Sequence, residues 1–250
     1  GDVYKRQIKD LACKISKLVN YRGKIIWDKK KPINYELGLK HLPSQELEEL
    51  YFVSDGILIA PRLKMIEWKY EKKFVDYKFA EEAMSKRVEG IISKQEIELV
   101  WFLEHDNVYT LGTSAKTSDF KYEASIPIYQ TKRGGQTTYH GPGQRIIYLL
   151  LDLRNGKKDI KQLVWNIEEW RISVLKELGI SGYRIPGLIG VWVKDPKNIN
   201  ADGSRDKKIA ALGLRLKKWI TFHGLSFNVD PDLKFFNDIN PCGITGKGVT

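Results

Sequence analysis

The run Arg133-Gly134-Gly135-Gln136-Thr137-Thr138-Tyr139-His140-Gly141-Pro142-Gly143-Gln144 constrains this chain more than any other stretch. Its four glycines in twelve residues let backbone approach a ligand closely. The flanking segments Ile126–Gln130 and Ile146–Leu153 read as strands, so the run is expected to be a loop between two strands. Arginine, glutamine, threonine, tyrosine and histidine supply hydrogen-bond donors there, and no carboxylate interrupts them. A phosphate cradle is one reading, yet the Gly-Lys-Ser/Thr signature is missing and no helix follows directly. A glycine-rich hairpin with polar decoration is the other.

The segments around this loop alternate in two periods. Ile66–Tyr70 has the polar–apolar alternation of a half-buried strand, and Leu99–Leu103 and Val108–Leu111 read as further strands. Tyr77, Ala80, Met84, Val88 and Ile91 recur every three or four residues, which predicts an amphipathic helix. Asp159 is placed to cap a second helix with the apolar stripe Ile160, Leu163, Val164, Ile167, Val174 and Leu178, closed by Gly179. Val191–Val193, Ile209–Leu216, Ile220–Phe222 and Leu225–Val229 predict a strand-rich second half, with Pro196–Arg205 an exposed hairpin loop. Strands and helices mix without strict alternation. The fold class is therefore α+β rather than a doubly wound parallel sheet.

At 250 residues there is enough chain for a sizeable core. Residues 1–64 share none of these patterns and are expected to be an accessory or foreign segment, an artefact of sequence assembly being one origin. Residues 65–250 carry them and are expected to form one organised domain. No apolar run is long enough to span a bilayer, so a cytoplasmic protein with no membrane partner is expected. The net charge of +11 attracts acidic partners, but lysine and arginine are dispersed and no nucleic-acid motif appears, so no nucleic-acid partner is expected. The two cysteines, Cys13 and Cys242, have no metal-ligand spacing, which argues against a disulfide framework and a zinc site; no metal and no cofactor are expected.

Two further runs can carry chemistry. Lys207-Lys208-Ile209-Ala210-Ala211-Leu212-Gly213 opens a strand of small and apolar residues with a lysine, which suits an ammonium at the rim of an apolar slot. By itself, such a run is more often an ordinary strand start with solvated lysines. Thr221-Phe222-His223-Gly224-Leu225-Ser226 is followed by Asn240-Pro241-Cys242-Gly243, where a glycine leaves the thiol uncrowded. A cation near that thiol would lower its pKa and make it nucleophilic.

From Met65 to Thr250 the chain resembles the lipoyl(octanoyl) transferase family, enzymes of the biotin/lipoate protein ligase fold. The resemblance is carried by Leu103-Glu104-His105, Val108–Gly112, the whole Arg133–Gln144 run, Gly190–Val193, Lys208-Ile209-Ala210, Phe222–Leu225 and Asn240–Gly243, all in the family's order. It implies a mixed, strand-rich central sheet flanked by helices, and that residues 65–250 are the catalytic domain, stopping short of the family's usual C-terminus. It implies that Cys242 is the acyl-thioester nucleophile and that Lys208 lowers its pKa and handles protons. The segments Arg133–His140, Ala211–Gly213 and Gly224-Leu225-Ser226 would line the acyl pocket. The donor would be octanoyl-acyl carrier protein. The acceptors would be lipoyl domains of 2-oxoacid dehydrogenases and the glycine cleavage H protein. An ATP-dependent lipoate or biotin ligase of the same fold, which needs no cysteine at position 242, is the alternative enzyme. A non-catalytic basic binding module is the alternative outside enzymes.

Overall fold

The computed structural model of the protein describes residues 66–116, 119–120, 124–154, 156, 158–239 and 246–250. The expected N-terminal segment 1–64 and Cys242 lie outside the described residues.

The first half builds the scaffold. Strand β1 (Ile66–Tyr70) leads to α1 (Tyr77–Ile92), which Asp76 caps by accepting the Phe79 N–H at 2.8 Å. Such a cap contributes about 1 kcal/mol. The helix buries Tyr77, Ala80, Met84, Val88 and Ile91, the residues whose spacing predicted it. Strands β2 (Glu98–Leu103), β3 (Val108–Leu111) and β4 (Ile128–Gln130) follow. The glycine-rich run is not all loop. Its second half forms β5 (Thr138–His140), and its last residue opens β6 (Gln144–Leu150).

In the second half, α2 (Ile160–Glu177) starts at Asp159, whose carboxylate accepts the Gln162 N–H at 2.9 Å. Gly179 ends it at φ +75°, the left-handed conformation glycine tolerates. The buried stripe differs from the expected one. Leu163, Ile167, Trp170 and Leu175 point inward together with Glu168 and Arg171, while Leu178 is exposed. Two buried charges within an apolar face concealed its true direction.

Strands β7 (Tyr183–Ile185), β8 (Leu188–Lys194), β9 (Asp206–Lys217) and β10 (Ile220–Asn228), the short α3 (Lys234–Asn237) and β11 (Gly248–Val249) complete the fold. The two strands expected at 220–229 are one. Strand β10 runs unbroken through His223, whose φ is +62°. A two-residue turn joins it to β9, with φ positive at both Lys218 (+49°) and Trp219 (+66°), a geometry usually signalled by Asn-Gly.

The large sheet runs β1-β2-β6-β10-β9-β8-β7, and β11 joins β9 in parallel; a small sheet runs β4-β3-β5. One face of the large sheet packs Leu99, Trp101, Leu103, Ile146, Leu150 and Phe222 against α1. The opposite face packs Val100, Ile147, Leu149 and Leu225 against Leu163, Ile167 and Trp170 of α2. Alternate residues of each strand thus serve different helices. The architecture is the expected α+β sheet with flanking helices.

Candidate active site

The register of β9 against β8 decides which lysine reaches the interior. Val191 lies opposite Ala210 and Trp192 opposite Lys208, so Ile209 is an extra residue, a β-bulge. Val191 and Ala210 pack towards α2 with Leu175. Trp192 and its partner Lys208 therefore share the other face. Without the bulge, strict alternation would turn Lys208 into the α2 core with Ala210.

Lys208 is buried, at 6% exposure, although it carries an ammonium. Nζ donates to the Ile189 carbonyl at 2.9 Å and lies 4.9 Å from the centroid of the Trp192 ring. Gly190, at φ +128°, lets the lysine stem pass. A Cβ there would stand 2.7 Å from the Ala210 carbonyl oxygen and 3.1 Å from Lys208 Cε. On the far side of the same peptide, the Gly190 N–H donates to Glu168 Oε1 at 2.8 Å, and Glu168 Oε2 accepts from Arg184 Nε at 3.0 Å.

Beside Lys208 is a small hollow, partly open to solvent, walled by Thr138, Gln144, Ala211, Ser226 and Phe236. Ala211 and Ser226 pair across β9 and β10, and the strand floor they begin continues with small residues, Gly213 pairing with Gly224 next along. Gly224 has no alternative, because a Cβ would come within 1.9 Å of the Ile147 carbonyl oxygen in β6.

The glycine-rich run meets this floor further along β9. The Gly134 N–H donates to the Leu214 carbonyl at 3.1 Å, and a Cβ on Gly213 would touch Gly134 O at 3.1 Å and Arg133 Cδ at 3.2 Å. Arg133 is buried and tied to β3: Nη2 donates to the Thr110 carbonyl at 2.6 Å and Nε to Thr110 Oγ1 at 3.2 Å. Gly135 and Gln136 lie against Gly112 and Ser114, the Gly135 carbonyl accepting the Ser114 N–H at 3.0 Å and the Gln136 carbonyl the Gly112 N–H at 3.4 Å. Thr137 Oγ1 donates to Asp119 at 2.8 Å, and Tyr139 stacks on Phe235 with centroids 4.9 Å apart.

Of the residues expected at the site, Lys208, Thr138, Ala211 and Ser226 come together around the hollow. His140 stands behind it, bonded to Gln144 at 2.6 Å. The Leu212 and Leu225 side chains lie on the opposite face in the α2 core, so only their backbone belongs to the floor. Cys242 lies outside the described residues. Sequence reasoning missed Asn228, Phe236 and Val249, which also wall the hollow. Val249 reaches it because β11 occupies the β9 edge beyond Ala210, pairing with Lys208 itself. Two anchors hold that strand. Lys247 reaches Asp202 at 2.9 Å, and Asn200 Oδ1 accepts the Gly248 N–H at 3.1 Å. The Pro196–Arg205 hairpin tip is therefore not wholly an exposed loop, since Asn200 is buried.

Behind the floor lies a polar layer. His105 Nδ1 must donate to the Val75 carbonyl at 2.6 Å, so its Nε2 accepts from the Tyr148 hydroxyl at 2.7 Å. Burial lowers the pKa of His105 to about 4 and those of His140 and His223 to about 3, with Arg133 opposing charge on the latter two. All three are neutral imidazoles at neutral pH. Among the described residues no cluster of histidines, cysteines and carboxylates is arranged to hold a metal.

The sequence model of the lipoyl protein ligase A/B catalytic domain family matches residues 76–250. The octanoyltransferase of Bartonella tribocorum is 47% identical over 188 residues, covering 74% of this chain and 76% of the relative. That of Jannaschia sp. is 46% identical over 188 residues and is covered to 87%. This chain belongs to the octanoyltransferase family. It is an acyltransferase of the lipoate ligase and transferase type. The fold is shared more widely. A chain from an archaeal lipoylation system of Thermoplasma acidophilum, comprising a bipartite lipoate protein ligase and its E2 lipoyl domain, superposes with a TM-score of 0.52 at 16% identity. That match covers 70% of this chain and 66% of the other.

Proposed function

We propose that the chain transfers an octanoyl group from octanoyl-acyl carrier protein to a lysine of lipoyl domains, through a thioester on Cys242 assisted by Lys208. The supporting observation is Lys208 itself: a bulge turns its side chain to the face of β9 that carries the hollow, beside Ala211 and Ser226. Small residues continue along that face, where Gly213 pairs with Gly224 and Arg133 lies against Gly213. A face without bulk suits an unbranched alkyl chain. The chain enters the 240–245 stretch from Ile239, which is buried, and leaves it towards β11, which pairs with Lys208.

In the first half-reaction the Cys242 thiolate attacks the acyl carbonyl carbon, a new C–S bond forms, and the carrier's thiolate departs and takes up a proton. An ammonium at Lys208 favours the attacking thiolate. In the second, the amine of the acceptor lysine attacks the Cys242 thioester, an amide forms, and the cysteine sulfur is released. Lys208 in its neutral form would accept the proton lost by that amine. Thioester exchange is nearly balanced and amide formation is downhill, so no nucleotide is consumed. Acyl carrier proteins are acidic, and a net charge of +11 speeds their encounter. The acceptors are the lipoyl domains of 2-oxoacid dehydrogenases and the glycine cleavage H protein, and the setting is the cytoplasm. No described helix is long and apolar enough to cross a membrane.

Intact mass after exposure to octanoyl-acyl carrier protein tests this. One added octanoyl group, removable by hydroxylamine, present in Cys13→Ala and lost in Cys242→Ala, is expected. Labelling that instead requires free octanoate and ATP would make the protein a ligase.

A further inference from the structure

We infer that Glu168 is a positioning residue for Lys208, acting through the Ile189–Gly190 peptide. This rests on the reading of Lys208 given above.

The two hydrogen bonds that meet at this peptide belong to a single planar group. Its carbonyl accepts from Lys208 Nζ at 2.9 Å, and its N–H donates to Glu168 Oε1 at 2.8 Å. Carboxylate, peptide and ammonium therefore stand in line. Each bond polarises the peptide in the direction that strengthens the other. Glu168 is itself fixed. It projects from α2, is 6% exposed, and its second oxygen is held by Arg184 at 3.0 Å. Arg184 is in turn braced by Glu169 at 2.9 Å and lies over the Trp165 ring at 4.5 Å. Gly190 sits at φ +128° where a Cβ would strike Ala210 O, so the peptide is held in a conformation that the flanking strand alone would not choose. Nothing else in the described site needs a carboxylate at this place. A buried glutamate on the inward face of α2 is explained by what it does to the peptide in front of Lys208.

Glu168→Gln retains an oxygen for the Gly190 N–H and the volume of the side chain while removing the charge. The measurements are single-turnover self-acylation against octanoyl-acyl carrier protein concentration and the iodoacetamide alkylation rate of Cys242 at fixed pH. A fall of about tenfold in both the maximal acylation rate and the alkylation rate is expected, with half-saturation within about twofold of the parent. In a Lys208→Ala background the same change should do nothing further. Glu168→Gln/Arg184→Gln leaves neither charge of the ion pair unpartnered and guards against a folding defect of the single variant. It should show the same two losses. Parent-like rates in these variants, or an equal loss in the Lys208→Ala background, would overturn the inference. A Lys208→Ala protein with parent-like rates would instead overturn the role of Lys208 and is read separately.

Discussion

Lys208 and Trp192 stand directly opposite each other across β8 and β9, and the ammonium rests 4.9 Å from the indole centroid. A buried cation without a carboxylate in contact is costly unless other groups offset the loss of water. The ring face and the Ile189 carbonyl supply that offset on one side and leave the other side for the hollow.

Lys208→Ala and Lys208→Arg separate two roles of this residue. If its ammonium favours the Cys242 thiolate, Lys208→Ala should raise the thiol pKa towards the unperturbed value of about 8.5. Guanidinium keeps the charge but does not deprotonate near neutral pH. Lys208→Arg should then retain part of the self-acylation and fail in transfer to the acceptor lysine. Alkylation rate against pH, with each half-reaction followed singly, checks this. An unchanged alkylation pKa in Lys208→Ala, with both half-reactions intact, would leave Lys208 an ordinary strand residue.

Gly190→Ala asks whether the backbone in front of the lysine tolerates a methyl group. The positive φ and the approach to Ala210 O predict a loss of about 1–3 kcal/mol of stability. Acyl transfer should fall further than that loss explains, because the same methyl presses on the Lys208 stem. Denaturant melts together with turnover at a temperature where the variant is fully folded measure both. Parent-like turnover would show that the stem has room to move.

The Arg133→Ala variant is expected to lose stability before chemistry. Its guanidinium donates to both oxygens of Thr110, and losing these charge-assisted bonds from a buried position costs about 1–3 kcal/mol. Urea midpoints should move accordingly. A variant as stable as the parent but slow in acylation would place Arg133 against the substrate rather than in the scaffold.

The three buried histidines set an acid limit. Their folded pKa values, about 3 to 4, lie below the unfolded value of about 6.5, so between these the unfolded chain binds more protons. Their contribution is complete above pH about 6.5 and is lost progressively as pH falls towards the folded values. The melting temperature should therefore drop between pH 6.5 and 4, and His140→Asn should flatten that slope. A profile equally steep in His140→Asn would assign the acid sensitivity to other groups.

Local pattern carried much of this structure. The five inward residues of α1 were legible because they depend only on their own spacing, and Asp159 because a cap is a local bond. The stripe of α2 was not, since Glu168 and Arg171 are met inside by groups distant in sequence: Gly190 and Arg184 for one, the ring of Phe227 for the other. The site divides in the same way. Its motifs named Lys208, but the bulge that aims it exists only relative to β8. Leu212 and Leu225 shared a motif with Gly213 and Gly224 while facing the other way. Phe236 and Val249 had no local signal, because α3 and β11 bring them to the hollow from far along the chain, while Asn228 comes to it on β10 two residues beyond Ser226.

The two faces of β9 and β10 also separate two kinds of evolutionary freedom. Leu212 and Leu225, on the α2 side, answer to the stability of the whole domain, whereas Ala211 and Ser226 answer to whatever occupies the hollow. If an acyl tail lies against Ala211 as proposed, a larger residue there shortens its space without disturbing the packing of α2. Preference for acyl length would then drift through single substitutions on one side of a strand while the other side keeps the domain folded.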